Sequence, residues 1–305
     1  MFGGGTSSAD LTSKLRIGIV VFPFDEILGV VEPELIKHLL DDRAFHHRQV
    51  KLTDSWAYST RSRASKPGRI VAGMDKQALR ERAWEAIRAA GAARFPGVEG
   101  RVPNFVGAEE AARQLAETSE WRSAATLKCN PDSPQLPVRK LALEAGKTIY
   151  MAVPKLADPK PFWRLDPDEL TVAPHQAVSI KGAGRHGRPV SIEEMGPIDL
   201  IVCGSVAVER AGARLGKGGG YSDLEFAIAT EAGLIGACTV IATTVHRSQI
   251  FDDGTIPVTE HDFPVDLVVT AEEVIRTETG LARPAGVLQD HLEASRREAI
   301  PVLRR

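Results

Sequence analysis

Cysteine is scarce in this sequence: Cys129, Cys203 and Cys238 are the three among 305 residues. They are too few and too widely spaced for a disulfide framework, and no C-x-x-C pair starts a zinc site. Reduced thiols of a cytosolic protein are the expectation. H-E-x-x-H is missing as well, which argues against zinc chemistry. Aromatic residues make up 6% and no R-G-F-x-F-V stretch occurs, so an aromatic RNA-binding platform is excluded. The formal net charge of −2 gives no general attraction to nucleic acid or to an anionic membrane. No apolar run approaches the roughly 18–20 residues of a membrane span. The opening "MFGGGTSSADLTSKLRIGIVVFPFDEILGVV" lacks the order of basic start, apolar core and small-residue cleavage site, and it is too acidic downstream for a transit peptide. A cytoplasmic protein with neither a membrane nor a nucleic-acid partner is expected.

What is present divides into three parts. Residues 1–73 read as an N-terminal extension, with one buried strand at "RIGIVV", a short helix over 32–40 and a polar linker broken by Pro67 and Gly68. The piece "RIGIVVFPFDEILGVVEPE" resembles the opening strand and turn of the DJ-1/PfpI amidotransferase-like family. That family's nucleophilic cysteine has no counterpart before Cys129, so the segment is read as lacking catalytic residues. Residues 74–280 form the main domain. "DKQALRERAWEAIRAAG" spaces Leu79, Ala83, Trp84 and Ile87 as one helical face, with Gly91 as a stop. Short apolar runs then alternate with helical stretches. "ATLKC" precedes a helix over 138–145, "TIYMAV" follows it, and "DLIVCGSVAV" leads to a glycine loop and another helix. "CTVIATTV" comes next, and "DLVVT" leads into "AEEVIRT". This alternation predicts an α/β fold with a mainly parallel sheet, three-layered and Rossmann-like in outline. Residues 281–305 read as a helical tail, amphipathic around 287–297.

The stretch "RLGKGGGYSDLEF" places four glycines around one lysine. It is no Walker loop, because Ala211 stands where the first glycine should be and Gly218 follows Lys217 in place of a hydroxyl. It is no dinucleotide fingerprint either, because Tyr221 replaces the last glycine. The chemistry still favours an anion. Gly216, Gly218, Gly219 and Gly220 let backbone N–H groups turn toward one point at a helix N-terminus, Lys217 adds a full charge, and Asp223 could hold a cation. A flexible surface loop is the alternative.

The motif resembles the G-[KR]-G-x-G-Y-Y-D loop of the 5-formyltetrahydrofolate cyclo-ligase family. Further likenesses follow in order: "DKQALR" to a K-x-x-x-R on the first helix, "AGKTIYMAVPKL" to a GK–strand–proline segment, and "IPVTEHDFPVDLVVT" to a closing HD-x-P-V-D-x-V-V-T. The texture is closest to a divergent, cyclo-ligase domain-containing branch. The resemblance covers roughly 73–279. It implies a NagB/RpiA/CoA transferase-like fold and the ATP- and Mg²⁺-dependent conversion of 5-formyltetrahydrofolate to 5,10-methenyltetrahydrofolate.

On that resemblance, Lys76 and Arg80 bind ATP phosphates together with Arg214, Gly216, Lys217, Gly218, Gly219, Gly220, Tyr221 and Asp262. Lys217 and Tyr221 are the catalytic candidates, Asp223 holds magnesium, and Asp132 contacts the folate where the family tends to have glutamate. Each has a plainer alternative: a solvated basic helix face for Lys76 and Arg80, a first-turn acid for Asp223, a turn residue in "NPDSPQ" for Asp132. His261 belongs with the closing pair, or serves a structural hydrogen bond; His246 is read as structural and Cys203 as inert within its strand. Two departures stand out: Ser222 replaces the second tyrosine of the motif, and Leu224 follows the aspartate. On the folate side, "SIEEMGPIDL" also lacks a clean match to the family's Glu-Pro, so the nucleotide half matches better than the folate half. A paralogue acting on another N-acyl or pterin-like compound, or a non-catalytic nucleotide-binding protein, are the alternatives, and a monomer with a small-molecule folate substrate is expected.

Overall fold

The computed structural model describes residues 75–304. The N-terminal extension expected over 1–73 lies outside the described residues. The amphipathic stripe read in the first helix is the buried one. Helix α1 (Lys76–Ala89) hides Leu79, Ala83, Trp84 and Ile87. It ends where Gly91 takes φ 64° and Ala92 N–H returns to the Ile87 carbonyl, closing the last turn with a left-handed glycine.

The apolar runs assemble into one eight-stranded sheet. Its strands are β1 (Thr126–Cys129), β2 (Thr148–Ala152), β3 (Phe162–Leu165), β4 (Arg188–Val190), β5 (Leu200–Cys203), β8 (Val240–Thr244), β10 (Leu267–Val269) and β11 (Val274–Arg276). They lie in the order β11-β10-β8-β5-β1-β2-β3-β4. The five central strands, β10 to β2, run parallel; β11 and β3 run antiparallel to them, and the edge strand β4 pairs antiparallel with β3. Central strands covered on both faces need apolar residues at every position, which "LIVC" supplies in β5. Its side chains alternate. Ile201 and Cys203 enter one core with Phe226, Ile228 and Ile241, and Leu200 and Val202 enter the other with Leu127, Val138 and Met151. Helices α2 (Ala108–Ala116) and α3 (Leu136–Glu144) cover the second face, and α4 (Tyr221–Glu231) covers the first. The α/β fold with a mostly parallel sheet is as expected.

Two local differences have physical causes. "DLIVCGSVAV" is not one strand. It leaves the main sheet after Cys203, and Ala207–Glu209 (β6) joins β7 (Arg214–Leu215) and β9 (Ile250–Phe251) in a second, three-stranded sheet. The break falls at Gly204, where a Cβ would stand 3.0 Å from both Asp132 Oδ2 and a Val102 methyl, so any larger residue would have to displace one of these side chains. "AEEVIRT", following "DLVVT", becomes the antiparallel edge strand β11 rather than a helix: the Thr270 hydroxyl receives the Glu272 and Glu273 amides and turns the chain back. The tail carries helix α5 (Ala294–Ala299), and Ile300 and Leu303 are buried in the core that α4 also enters.

Candidate functional site

In a parallel sheet, ligands gather at the carboxyl ends of strands where the order reverses. That point lies here between β1 and β5, since the chain leaves β1 toward β2 on one side and β5 toward β8 on the other. A cavity of about 1060 Å³ opens there, lined by Asn130 and Asp132 after β1, Val153 after β2 and Gly204 after β5. Its volume is at the upper end of the roughly 300–1,000 Å³ usual for small-molecule sites.

The glycine loop forms one wall of this cavity. Gly218 and Gly220 take φ 99° and 61°, backbone that a side chain would strain, and Gly220 opens helix α4 as its N-cap. A Cβ on Gly218 would also meet the Arg80 guanidinium at 3.2 Å. Arg80 donates from Nε to the Gly216 carbonyl at 2.8 Å, so the cation of α1 is anchored to the loop itself. Burial lowers its pKa, while Asp75 and Asp262 act in the opposite sense. Lys76, one turn earlier, reaches Asp262 Oδ2 at 2.6 Å. That oxygen also accepts from Thr259 N at 2.7 Å and Oγ1 at 2.8 Å. Burial alone would push the Asp262 carboxyl up, yet the Lys76 and Thr259 hydrogen bonds outweigh it and hold the pKa below its ordinary value.

Arg214 is buried beneath the loop, donating to the Gly204 carbonyl at 3.1 Å and to Asp223 Oδ1 at 2.5 Å, over the Phe263 ring. Burial works against its charge, but Asp223 and its neighbours prevail and raise its pKa. Arg214 thus fixes the acid at the start of α4. Asp223 lines the cavity with oxygen donors suited to a hard cation, and one carboxylate plus phosphate oxygens is a usual magnesium set. Tyr221 lies against the guanidinium of Arg296, 4.9 Å from its ring centroid.

Lys217 and Asp132 face each other, Nζ to Oδ1 at 2.9 Å. Asp132 makes no capping bond to the short turn it precedes, so its carboxylate is directed to the loop and not spent on the turn. The two residues come from segments 85 positions apart and bring the nucleotide-side and folate-side candidates into direct contact. The positions singled out for phosphate, metal and acceptor therefore share one cavity. His246 lies apart, its Nδ1 accepting the Ser248 amide at 3.2 Å, with burial lowering its pKa. Cys203 is buried, and desolvation raises its pKa.

Sequence reasoning missed several residues here. Asn130, which follows β1, donates from Nδ2 to Ser222 Oγ at 3.0 Å and accepts from Lys128 Nζ at 3.0 Å. Lys128 in turn sits 2.5 Å from Glu225 Oε2, both almost fully buried, and off the direction of a hydrogen bond. Position at the end of a central strand could have flagged Asn130. Arg296, which donates to the Gly219 carbonyl at 2.5 Å, carried no signal, because "ASRREA" reads as an ordinary solvated helix.

Comparison with known proteins identifies the family to which the chain is similar. The 5-formyltetrahydrofolate cyclo-ligase family matches residues 72–271. A methenyltetrahydrofolate synthase domain-containing protein of Mus musculus is 35% identical over 235 residues, 76% of this chain and 63% of its own length. The Homo sapiens protein of that name is 32% identical over 76% of this chain and 61% of its own. The chain thus spans a little over three-fifths of these relatives. A mitochondrial 5-formyltetrahydrofolate cyclo-ligase of Arabidopsis thaliana is 37% identical over 83 residues, 26% of this chain and 29% of its own. The solution structure of Aquifex aeolicus 5,10-methenyltetrahydrofolate synthetase aligns at 21% identity with a TM-score of 0.44, covering 72% of this chain and 100% of that one. Among the described residues, no helix is long and apolar enough to cross a membrane.

Proposed function

The chain belongs to the 5-formyltetrahydrofolate cyclo-ligase family, and from that premise we propose that it converts 5-formyltetrahydrofolate and ATP to 5,10-methenyltetrahydrofolate, ADP and phosphate. The observation that carries this is the meeting of Lys217 and Asp132 in the cavity that Lys76 and Arg80 also line. A formyl oxygen is a poor leaving group. It attacks the γ-phosphorus and ADP departs; N10 then attacks the formyl carbon and loses its proton, and the oxygen leaves within phosphate. Such transfer needs charge neutralisation and alignment more than a protein nucleophile.

The residues divide this work. Lys76 and Arg80 hold the phosphate chain, and the amides of residues 216–220 cradle it at the start of α4. Lys217 neutralises the transferring group, and Tyr221 shapes the wall beside it. Arg214 holds Asp223 in place, and Asp262 keeps Lys76 in position. Asp223 would hold Mg²⁺ with phosphate oxygens, supplying further charge neutralisation when bound. Asp132 binds the acceptor, and exchange of its partner from Lys217 to substrate frees the lysine for phosphate. A cytoplasmic location and a monomeric state belong to the same proposal; Cys129 and Cys203 are buried free thiols, with burial pushing the Cys129 pKa up to about 11, which fits a reducing setting.

A second reading, a paralogue using another N-acyl or pterin-like acceptor, draws on Ser222. Its hydroxyl accepts from Asn130 where the family motif has tyrosine, so the site differs from the family pattern at this position. The test is absorbance of methenyltetrahydrofolate formed from the 5-formyl compound, with and without ATP. ATP-dependent product supports the first reading. Phosphate release that occurs only with other N-acyl compounds supports the second, and no turnover of any of them refutes both.

A further inference from the structure

At the mouth of the cavity, side chains from two separate segments converge. Glu260 and His261 precede Asp262 in one loop, and His291 ends the short turn Gln289–His291 in the C-terminal tail. His291 Nδ1 lies 3.1 Å from His261 Nε2 and 3.2 Å from Glu260 Oε1. All three donor atoms fall within 4.8 Å of one another. The two rings meet edge to face, with centroids 5.1 Å apart. Three potential lone-pair donors from two segments, held this close, are a set that one cation can accept together. Tetrahedral zinc, with bonds of about 2.0–2.1 Å, spaces its ligand atoms roughly 3.3 Å apart. The two measured edges lie close to that spacing.

We propose that Glu260 Oε1, His261 Nε2 and His291 Nδ1 form a binding site for a divalent transition cation of the Zn²⁺ or Co²⁺ kind. It is distinct from the oxygen donors around Asp223. Two imidazoles and one carboxylate select a borderline cation over Mg²⁺, which takes oxygen ligands and keeps its waters. Three protein ligands leave a fourth position for water. All three residues are exposed, so the ion exchanges freely and competes with protons for the nitrogens. The placement also gives the ion a structural effect. It would join the loop whose Asp262 holds Lys76 to the tail whose Arg296 holds the Gly219 carbonyl, so both partners of the phosphate wall would be tied at one point.

The test is a Co²⁺ titration of the chelator-stripped full chain in excess Mg²⁺, read by visible d–d absorption and followed by Zn²⁺ competition. It reads binding without turnover, so its result stands apart from that of the folate assay. The expected result is saturation near one equivalent, displaced by Zn²⁺ and untouched by Mg²⁺. His261→Ala and His291→Ala should each weaken binding by at least the roughly 10- to 100-fold that loss of a mere supporting partner costs. Glu260→Gln should weaken it in the same direction. Both histidines are exposed, so an unchanged far-ultraviolet circular dichroism spectrum is expected for each variant. Absence of saturable Co²⁺ and Zn²⁺ binding would overturn the proposal. So would a His261→Ala/His291→Ala double variant that binds as the parent does, since the ion would then sit elsewhere, for instance at the exposed Cys238.

Discussion

Replacing Lys217 by alanine removes a full charge from the loop and leaves Asp132 without its partner at 2.9 Å. Removing one donor aimed at developing charge typically costs about 10²–10³ in kcat. Stability should change little, because the Lys217 side chain is 45% exposed and such pairs are worth about 0.2–1 kcal/mol. The same pair sets a second expectation. In the free protein Asp132 competes with phosphate for Lys217, so Asp132→Asn should tighten ATP by roughly 1.4- to 5-fold, the exposed pair's worth converted to affinity. In the Lys217→Ala background the asparagine should leave ATP affinity unchanged. Toward the folate, Asp132→Asn should raise the substrate requirement about ten- to a hundredfold, as for loss of a charged hydrogen-bond partner worth roughly 1.5–3 kcal/mol. Methenyl absorbance at saturating ATP gives kcat, and equilibrium nucleotide titration gives the coupling between the two changes. If Lys217→Ala turns over at the parent rate, the loop does not hold the transferring group. If the asparagine acts equally on ATP with and without the lysine, the competition between phosphate and Asp132 is refuted.

The buried Lys128–Glu225 pair should behave differently from the exposed one. Lys128→Met strands a carboxylate whose side chain is 6% exposed and should cost about 3–5 kcal/mol in denaturant unfolding, whereas Lys128→Met with Glu225→Gln should recover most of it. A single variant as stable as the parent would show that the pair contributes nothing. Asp262 makes a pH prediction: its carboxyl is held below its ordinary value of 3.8, so its contribution is complete above that pH and is lost as pH falls through the lowered folded-state pKa. Asp262→Asn should therefore flatten the acid limb of the stability curve below about pH 4 while lowering stability at neutral pH. Parallel acid limbs in parent and variant would refute it.

How far the sequence carried depends on the range over which each feature is decided. The α1 stripe and the runs "TLKC" and "LIVC" are set by local periodicity, and they appear where periodicity places them. The glycine loop was legible because positive φ and close approach leave few residue choices. Gly204 was not, because what crowds a side chain there is Asp132 and Val102, remote in the chain. For the same reason no spacing rule linked Lys76 with Asp262, 186 positions away, or Lys217 with Asp132. The edge strand β11 was obscured by "AEEV", whose helical composition yields to sheet pairing with β10. Zinc-type sequence patterns are local, so none brings His291 to His261 across 30 positions.

The small sheet has a mechanical consequence. Helix α1 buries Leu79, Ala83 and Ile87 against Val206, Ala207 and Leu215 of that sheet, away from the main sheet's two cores. Lys76 and Arg80 thus ride on the small sheet and the glycine loop spans from that sheet to α4 on the main one, while Asn130, Asp132 and Val153 follow the main strand ends. The gap between phosphate donor and acceptor lies between residues carried by the small sheet and residues carried by the main one, with the crossing at Gly204 and Ser205 running between them. Reshaping the packing under α1 would shift every phosphate contact in concert, and a lesion far from any substrate would register as a misaligned donor.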